Sequence, residues 1–492
     1  GRAPTLRKNA MKVLFVSSTP FLMEPLGVLM LIGACRRAGH DTRLAILRRH
    51  RVGRMAAAFR PDVVAYSTST ADLAMFRAAD REILAAAKEW PKPPFRVMGG
   101  PHPTFSPNVL EEMGLDAICQ GDGDEALPEL LARLEAGASF DDIPNLVPRG
   151  AKEPVKRVLS HDLDRFPFPE RAAFYEAMPY CRTSGLRSFI TGRGCPYNCS
   201  YCFNHAFNRM FKQCGPVLRR RSVDNVLDEI DQVRREFPPL RLVRFADDTF
   251  AHRVDDWLLE FAEKYPRRIG VPFYCLMRSN TLTEETARLL AGAGCQSIGM
   301  SVESGDETLR NVVLRRNLTD KLVRESFAIA EKYHITTYAC TMLGIPGGTL
   351  EDDFQSLDFV RDLQPSAPIF ALCTPYTGTD IWRECVKKGW LPESGAKSAR
   401  FHEATELSCF TPREREVQLR ACYLGPLYTM APGWAAPVVR AMIRGPFPMT
   451  LARYLGHTYT AYRISTRIFP QAIPWTPMAF IRIGLDSVRF LL

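Results

Sequence analysis

Cys195, Cys199 and Cys202 form the most informative motif of the sequence, a CxxxCxxC loop. Three thiolates can hold three irons of a [4Fe-4S] cluster, which leaves the fourth iron free to bind another molecule. Zinc is an alternative, but it would need a fourth ligand, for which His205 is the nearby candidate. Core thiols without a metal are the second alternative. We therefore expect a cluster with one open iron.

The first third of the chain alternates short β-branched runs with segments of helical periodicity. This pattern predicts an α/β fold with a doubly wound, Rossmann-like sheet. Ligands of such sheets bind beyond the carboxyl ends of the strands. The predicted strands are 12–16, 42–47, 62–67, 95–98 and 116–119, and the predicted helices are 27–38, 71–89 and 125–134.

Small residues and glycines follow four of these strands. Glycine would let a large, flat ligand approach the backbone closely. Loops of ordinary α/β domains are also rich in such residues, so composition alone fits either interpretation. The candidate binding residues in these loops are Ser67, Thr68, Gly99, Gly100, Pro101, His102, Gly121 and Gly123.

Strand and helix patterns alternate again from residue 187 onward, which predicts a parallel, partial (β/α)6 barrel of the TIM type. Catalytic groups of barrel enzymes lie at the C-terminal ends of the strands. The cysteine loop follows the first of these strands. The predicted strands are 187–191, 241–246, 272–277, 297–301, 336–343 and 369–372.

Composition and charge limit the cellular compartment and the partners that the sequence is compatible with. The chain has 492 residues, 14 cysteines and a net charge of +10. A cluster-binding loop requires reduced thiols, so we expect a reducing cytoplasm and no disulfide framework. No apolar run approaches the roughly 20 residues of a membrane span. No nucleic-acid recognition motif accompanies the positive charge, and we expect no nucleic-acid partner.

The last hundred residues combine basic and aromatic side chains. From residue 431 onward there are seven arginines and one acid, Asp486. Such segments are typical of surfaces that lie on anionic membranes. The alternatives are a helical cap over the barrel mouth and a peripheral membrane contact. The predicted segments are a leader or expression remnant (1–10), the doubly wound domain (11–143), a proline-rich linker (144–186), the barrel (187–390) and a mainly helical C-terminal region (391–492).

The order of these motifs resembles the cobalamin-binding subfamily of radical S-adenosylmethionine (SAM) enzymes. Besides the cysteine loop, the resemblance rests on Pro25-Leu26-Gly27, Gly99-Gly100-Pro101-His102-Pro103 and Gly121-Asp122-Gly123-Asp124-Glu125, and it spans about residues 11–390. It implies that SAM binds the open iron through its amino and carboxylate groups. It also implies that SAM is cleaved to a 5'-deoxyadenosyl radical, and that the N-terminal domain holds cobalamin.

The resemblance also implies a set of SAM-binding residues. Asp247 or Asp248 would receive the amino group, although either could instead cap the next helix. Ser301 and Glu303 would contact the ribose and carboxylate region, with a first-turn helix acid as the alternative for Glu303. Arg278 could clamp a carboxylate or pair with a barrel acid. The set is completed by Tyr201 and Phe203 around the last cysteine and by Gly344 and Pro346 after the fifth strand.

The loop after the first strand departs from one related pattern. Cobalamin domains of the mutase type carry an aspartate-x-histidine-x-x-glycine loop whose histidine ligates cobalt, and residues 17–27 contain no histidine. Many members of the radical SAM subfamily lack it too, so its absence is compatible with bound cobalamin. His102 lies between two prolines, which favours a loop-shaping role over cobalt ligation.

The activity that the resemblance implies is radical methylation of an unactivated carbon. The alternatives are cyclisation, carbon-carbon coupling or deoxygenation without methyl transfer, in which the N-terminal domain would be vestigial or would hold cobalamin for electron transfer. A non-catalytic sensor is a third possibility. The expected partners are a small-molecule or lipid-like substrate and an electron donor of the flavodoxin or ferredoxin type.

Overall fold

The computed structural model describes residues 10–18, 23–151, 157–392 and 405–470. The chain folds into two compact units. The first contains Gly1–Thr183 and Phe207–Arg221, and the second contains Ser184–Ala206 and Ser222–Leu492. This division differs from the predicted one, because the segment that the prolines marked as a linker belongs to the first unit and the C-terminal region belongs to the second.

The sheet of the first unit has six strands in the order β2-β1-β3-β4-β5-β6. Strands β1 to β5 are parallel, which confirms the doubly wound fold, and β6 pairs antiparallel with β5. We did not predict β6, because it is short, ends in a proline and occupies the sheet edge, where proline is tolerated. The strands are β1 Lys12–Ser17, β2 Asp41–Ile46, β3 Val63–Ser67, β4 Phe95–Gly99, β5 Ala117–Cys119 and β6 Leu146–Pro148.

Helices cover this sheet, and one of them extends the domain beyond its predicted end. In the last helix of the unit, Arg171 forms a buried ion pair with Glu24 at 2.7 Å, and the Tyr175 hydroxyl donates to the same carboxylate at 2.7 Å. These buried contacts make residues 171–177 part of the domain rather than a linker. The helices are α1 Leu26–Arg37, α2 Val52–Phe59, α3 Leu73–Ala86, α4 Pro101–Phe105, α5 Val109–Glu112, α6 Ala126–Ala136 and α7 Arg171–Ala177.

The second unit contains a six-stranded parallel sheet in the order β14-β13-β12-β11-β10-β7. All six barrel strands that the sequence predicts are present, so the partial barrel is confirmed. Side chains alternate between the strand faces, and one face packs under the helices in the largest apolar core. The remaining strands of the chain are β7 Leu186–Phe189, β8 Gly192–Arg193, β9 Arg219–Arg220, β10 Leu242–Phe245, β11 Phe273–Met277, β12 Cys295–Glu303, β13 Thr336–Leu343 and β14 Ala367–Leu372.

The barrel helices begin at residues that favour helix starts. Ser222, Asp255, Thr283, Thr319 and Thr349 each accept a backbone N–H bond from the first turn of the helix that follows. These caps fix where each strand-to-helix loop ends. The helices are α8 Phe203–Met210, α9 Val223–Glu236, α10 Asp256–Arg268, α11 Glu284–Gly292, α12 Asp320–Lys332, α13 Leu350–Leu363 and α14 Asp380–Lys387.

The C-terminal region is helical, as predicted, but it is built into the barrel unit. Its helices are α15 Pro412–Met430, α16 Ala436–Arg444 and α17 Met449–Arg463. In α15, a side chain at Gly425 would collide with Phe370 of β14, so the helix packs closely on that strand. The turn after α17 places Ile468 against Ser297, whose hydroxyl donates to the Ile468 carbonyl at 3.0 Å.

Residues 464–469 do not contribute to the expected cap over the barrel mouth. Ser297 and Thr336 lie at the N-terminal ends of β12 and β13, and Thr336 also donates to the Arg467 carbonyl. The cysteine loop follows the opposite, C-terminal end of β7. Residues 464–469 therefore close the bottom of the barrel. Trp475, Phe480 and Phe490, three aromatic residues of the last hundred, lie outside the described part of the chain. Within the described part, no helix combines the length and hydropathy of a membrane span.

A buried carboxyl group joins α15 to the barrel. Asp353 in α13 accepts hydrogen bonds from the Gly344 amide at 2.7 Å and from Gln418 Nε2 of α15 at 2.9 Å. Burial raises the pKa of Asp353 from 3.8 to about 7, against the lowering effect of these two bonds. The other side-chain atom of Gln418, Oε1, has no hydrogen-bond partner within the described part of the chain.

We predict that Asp353→Asn removes a pH dependence of stability. The unfolded chain releases this proton near pH 4 and the folded protein near pH 7, so the free energy of unfolding falls as pH rises between these values. The slope approaches about 1.4 kcal/mol per pH unit. The asparagine amide can donate to Oε1 once the Gln418 amide is flipped. Chemical denaturation at pH 4.5, 5.5 and 6.5 measures the slope.

Asp352→Asn controls for the loss of one negative charge from the first turn of α13. An Asp353→Asn protein whose stability falls with pH as steeply as that of the unchanged protein would contradict the prediction.

Candidate active site

The three cysteines of the motif line one cavity at the C-terminal end of the barrel strands. Cys199 is buried, and Cys195 and Cys202 are half-buried. The cavity has a volume of about 160 Å³, against the roughly 10–15 Å³ that one water needs. There is thus room for a ligand beside the thiols. The other lining residues include Tyr201, Asn204, Asp248, Leu276, Met277, Arg278, Gly299, Ser301, Glu303 and Arg316.

Asp247 and Asp248 have different surroundings although they are adjacent. Asp247 is buried, and its Oδ1 accepts hydrogen bonds from the Thr191 amide at 2.9 Å, the Thr191 hydroxyl at 3.0 Å and the Gly192 amide at 2.7 Å. It therefore fixes the start of the cysteine loop and is not among the cavity-lining residues. Asp248 is exposed and lines the cavity. Of the two predicted carboxylates, Asp248 is the one placed to receive an ammonium group.

Glu303 lies at the end of β12 with a backbone φ of 66°, a left-handed conformation that is uncommon for residues other than glycine. Its carboxylate accepts a hydrogen bond from the Tyr201 hydroxyl at 2.7 Å. Ser301, two residues earlier, is half-buried and lines the same cavity. The predicted residues Tyr201, Ser301 and Glu303 thus meet at one cavity.

Arg316 is a site residue that sequence reasoning missed. It is buried, and it donates to the Tyr201 hydroxyl at 3.1 Å and to the Ser301 carbonyl at 2.8 Å. Its Nη1 also lies 3.8 Å from the Glu303 carboxylate. Arg316 follows the strand end by thirteen residues in a loop of irregular sequence, so no motif or periodicity identified it.

Arg278 is turned toward the cysteine loop. Its Nε donates to Asn280 at 2.7 Å, its Nη1 to the Cys199 sulfur at 3.4 Å and its Nη2 to the Arg316 carbonyl. All three nitrogens have partners within the protein. This arrangement favours a structural role around Cys199 over the predicted carboxylate clamp.

Three other predicted SAM residues do not line the cavity. Gly344 and Pro346 are buried, and the space beside Gly344 is filled by Gln418, 3.1 Å from where a side chain would begin. The need for glycine there comes from its positive φ of +67° together with the packing of α15. Phe203 packs its ring against Tyr376, with the ring centres 5.0 Å apart. Direct contact with SAM remains a prediction for these residues.

The candidate cobalamin-binding loops of the first unit meet beyond the carboxyl ends of its strands. The His102 amide donates to the Thr68 carbonyl at 3.1 Å, and the Gly121 amide to the Thr104 hydroxyl at 3.1 Å. At Gly100, where φ is +97°, a side chain would begin 2.8 Å from the Thr68 carbonyl, so only glycine fits. Ser67, Gly99, Gly100, Gly121 and Gly123 are half-buried and Pro101 is exposed. The Phe211 ring fills the space beside Gly121, 2.3 Å from where a side chain would begin.

His102 is buried, with its Nδ1 3.2 Å from the Thr70 hydroxyl. Burial lowers its pKa to about 4, so the imidazole is neutral at neutral pH. The contacts of both its backbone and its ring are within the loops of β3 and β4. They are consistent with the loop-shaping role that its flanking prolines suggested.

Each of the two units contains a region that matches a known protein family. Residues 189–360 match the radical SAM superfamily, and residues 12–131 match the B12 binding domain. The chain is a radical SAM enzyme with a B12-binding domain. Its cofactors are therefore a [4Fe-4S] cluster, SAM and cobalamin.

Individual relatives agree with this assignment. The chain is 25% identical over 386 residues to an uncharacterized methyltransferase of Pyrococcus horikoshii, covering 76% of this chain and 80% of the relative. It is 24% identical over 396 residues to the hopanoid C-3 methylase of Methylococcus capsulatus, covering 76% and 72%. The fold is that of the cobalamin-dependent SAM radical enzyme OxsB, with a TM-score of 0.69 and 14% identity, over 98% of this chain and 75% of OxsB.

The cysteine cavity of this radical SAM enzyme fits a [4Fe-4S] cluster. The described residues contain no group of three His, Cys, Asp or Glu side chains that converge on a single metal ion. A cluster binds its three thiolates at three different irons, so the sulfurs need not converge on one point. Burial raises the pKa of the Cys202 thiol to about 12, so its thiolate requires a positively charged partner. Iron supplies that charge.

We predict that Cys199→Ala abolishes the cluster, because two remaining thiolates hold only two irons. Iron and sulfide analysis after anaerobic reconstitution, together with the visible absorbance of the cluster, measures the loss. Cys214→Ala is the matched control, since the Cys214 sulfur has only a weak contact with the Lys212 carbonyl at 3.9 Å. A Cys199→Ala protein that retains four irons per chain would show that the cluster is held elsewhere.

Proposed function

We propose that this enzyme methylates an unactivated carbon of a small-molecule or lipid-like substrate. The observation that carries the proposal is the cavity in which Cys195, Cys199 and Cys202 meet Asp248, Ser301 and Glu303, in a chain that also has a B12-binding domain. When bound, SAM and the cluster supply a 5'-deoxyadenosyl radical, and cobalamin supplies a methyl group. Among the relatives, methyltransferases and a methylase outnumber cyclases, which favours this reaction over radical chemistry without methyl transfer.

The cavity residues have complementary roles in this proposal. Asp248 is an exposed carboxylate next to the cysteines, which suits the ammonium group of SAM. Ser301 offers a hydroxyl for a ribose oxygen. Glu303 is fixed by the Tyr201 hydroxyl and the Arg316 guanidinium, so it can accept a hydrogen bond in a defined direction. Asp247 positions the loop and does not contact SAM.

The overall reaction balances with two molecules of SAM and two electrons for each methyl group. A C–H bond of the substrate is replaced by a C–CH3 bond. The hydrogen atom leaves in 5'-deoxyadenosine, with methionine as its co-product, and the methyl donor leaves as S-adenosylhomocysteine. We propose that a carrier of the flavodoxin or ferredoxin type delivers the electrons.

We predict that the reduced holoenzyme, without substrate, transfers the methyl group of SAM to its bound cobalamin. The measurement uses SAM with a trideuterated methyl group, followed by extraction and mass spectrometry of the corrinoid. S-adenosylhomocysteine should form in an amount equal to the bound cobalamin. The Cys199→Ala control should make no 5'-deoxyadenosine, because it lacks the cluster.

Formation of 5'-deoxyadenosine without S-adenosylhomocysteine or labelled corrinoid would contradict methyl transfer. That outcome would favour cyclisation, carbon-carbon coupling or deoxygenation. Absence of all three products would favour the non-catalytic sensor.

We also propose that the C-terminal helices touch the inner face of a membrane. Leu451, Tyr454 and Tyr462 of α17 are 44%, 66% and 56% exposed, and their spacing places them on one helix face. Trp434, before α16, is 82% exposed. Arginines near these side chains in the sequence could add attraction to anionic lipid headgroups, although Arg440 and Arg444 also pair with Asp358 and Glu351.

We predict that the protein co-sediments with vesicles of mixed anionic and neutral lipids more than with neutral vesicles. Replacing Trp434, Tyr454 and Tyr462 together by serine should reduce this binding several-fold. Deleting the region is unsuitable, because Ile443 and Ala452 belong to the barrel core. Leu259→Ser is the control, since Leu259 is 46% exposed on α10. Equal binding of the triple variant and the unchanged protein would refute the membrane contact.

A further inference from the structure

Two buried arginines converge on one cysteine of the motif. Arg278 Nη1 lies 3.4 Å from the Cys199 sulfur, and Arg316 Nη1 lies 4.0 Å from it. The exposed fractions of Arg278, Arg316 and Cys199 are 6%, 7% and 5%. Water therefore contributes little to the surroundings of this sulfur, and two guanidinium groups bring positive charge within 4.0 Å of it.

Both guanidinium groups are held in place by further contacts. Arg278 lies 4.0 Å from the centre of the Tyr197 ring and donates to Asn280. Arg316 donates to the Tyr201 hydroxyl and the Ser301 carbonyl. The Arg316 Nε is buried and has no hydrogen-bond partner among the described residues. Burying an unpartnered donor costs free energy, so the position of Arg316 is not explained by optimal hydrogen bonding within the protein.

The backbone around Arg316 is also strained. Arg315 and Asn317, on either side of it, have φ values of 54° and 51°, in the left-handed region that is uncommon for an arginine and more readily adopted by an asparagine. Arg310 holds the loop by donating to the carbonyls of Ser304 and Leu318. Strain of this kind persists where the surrounding structure enforces it, and it is concentrated at functional sites.

The negative charges in the cavity indicate a function for the two arginines. A cluster on three thiolates becomes more negative when it accepts an electron, and Glu303 adds a further negative charge beside it. Hydrogen bonds to the sulfurs and nearby charges set the reduction potential of such clusters. We infer that Arg278 and Arg316 are positioning residues that hold Cys199 and stabilise the reduced cluster. The inference rests on the cluster assignment and not on methyl transfer.

The test is an anaerobic redox titration of the reconstituted full-length protein, monitored by the electron paramagnetic resonance signal of the reduced cluster. Arg316→Met should make one-electron reduction roughly tenfold less favourable, which is a shift of about 59 mV to more negative potential. Arg315→Met is the matched control, because Arg315 is exposed and pairs with Asp380 at 2.7 Å. Its potential should equal that of the unchanged protein.

Two further variants separate the electrostatic effect from loss of structure. Arg316→Lys keeps the positive charge and should have an intermediate potential, and Arg278→Met should shift in the same direction as Arg316→Met. Iron analysis confirms that each titrated protein holds four irons. The inference is overturned if Arg316→Met titrates like the unchanged protein, if Arg315→Met shifts as far, or if every Arg278 and Arg316 variant fails to bind the cluster. A failure of methyl transfer would leave these potentials unchanged.

Discussion

The Asp247 carboxylate links two neighbouring strands of the barrel at the point where the cysteine loop begins. It follows β10 and binds the Thr191 amide, the Thr191 hydroxyl and the Gly192 amide, which follow β7. The loop that starts there must turn back over the strand ends to present three thiols to one cavity. Fixing its first residues to the neighbouring strand limits the directions that the rest of the loop can take. The geometry of the site therefore depends on this buried carboxylate.

The other side of the cavity is organised by charge. Tyr201, Glu303 and Arg316 form a buried network in which each polar group contacts the next. Buried polar groups are costly when unpaired and rigid when paired. The network therefore gives the ligand a fixed set of donors and acceptors. This arrangement is accompanied by unfavourable backbone conformations, because Glu303 and the two neighbours of Arg316 have positive φ values.

Much of this fold could be predicted from the sequence, because the signals were local. All six barrel strands and the first five strands of the doubly wound sheet are short runs that contain buried apolar side chains. The helix α2 was missed although Val52, Ala56 and Phe59 are buried at helical spacing, because it is only eight residues long. Strand β6 was missed because it has only three residues and ends in a proline. Packing of the C-terminal helices on β14 could not be predicted, because it depends on contacts between segments that are distant in sequence.

In the candidate site, too, local sequence signals identified residues, whereas contacts between distant segments could not be predicted. The cysteines were identified from the spacing of their motif, and Asp248, Ser301 and Glu303 from the family resemblance. All of these residues line the cavity. Asp247 and Arg278 were also identified, but their partners in the loops could not be known. Gly344 suggested a close ligand, whereas the structure fills that space with Gln418 from a helix about seventy residues later. Arg316 had no local signal, since its position depends on the loop that Arg310 holds.

The central claim is that the three cysteines hold a cluster whose fourth iron faces the cavity and binds SAM. Electron-nuclear double resonance on the reduced holoenzyme tests this claim directly, with SAM carrying 15N in its amino group and 17O in its carboxylate. The account predicts hyperfine coupling of both nuclei to the cluster, which requires direct coordination. A bound SAM that shows no coupling of either nucleus would contradict an open iron at this site.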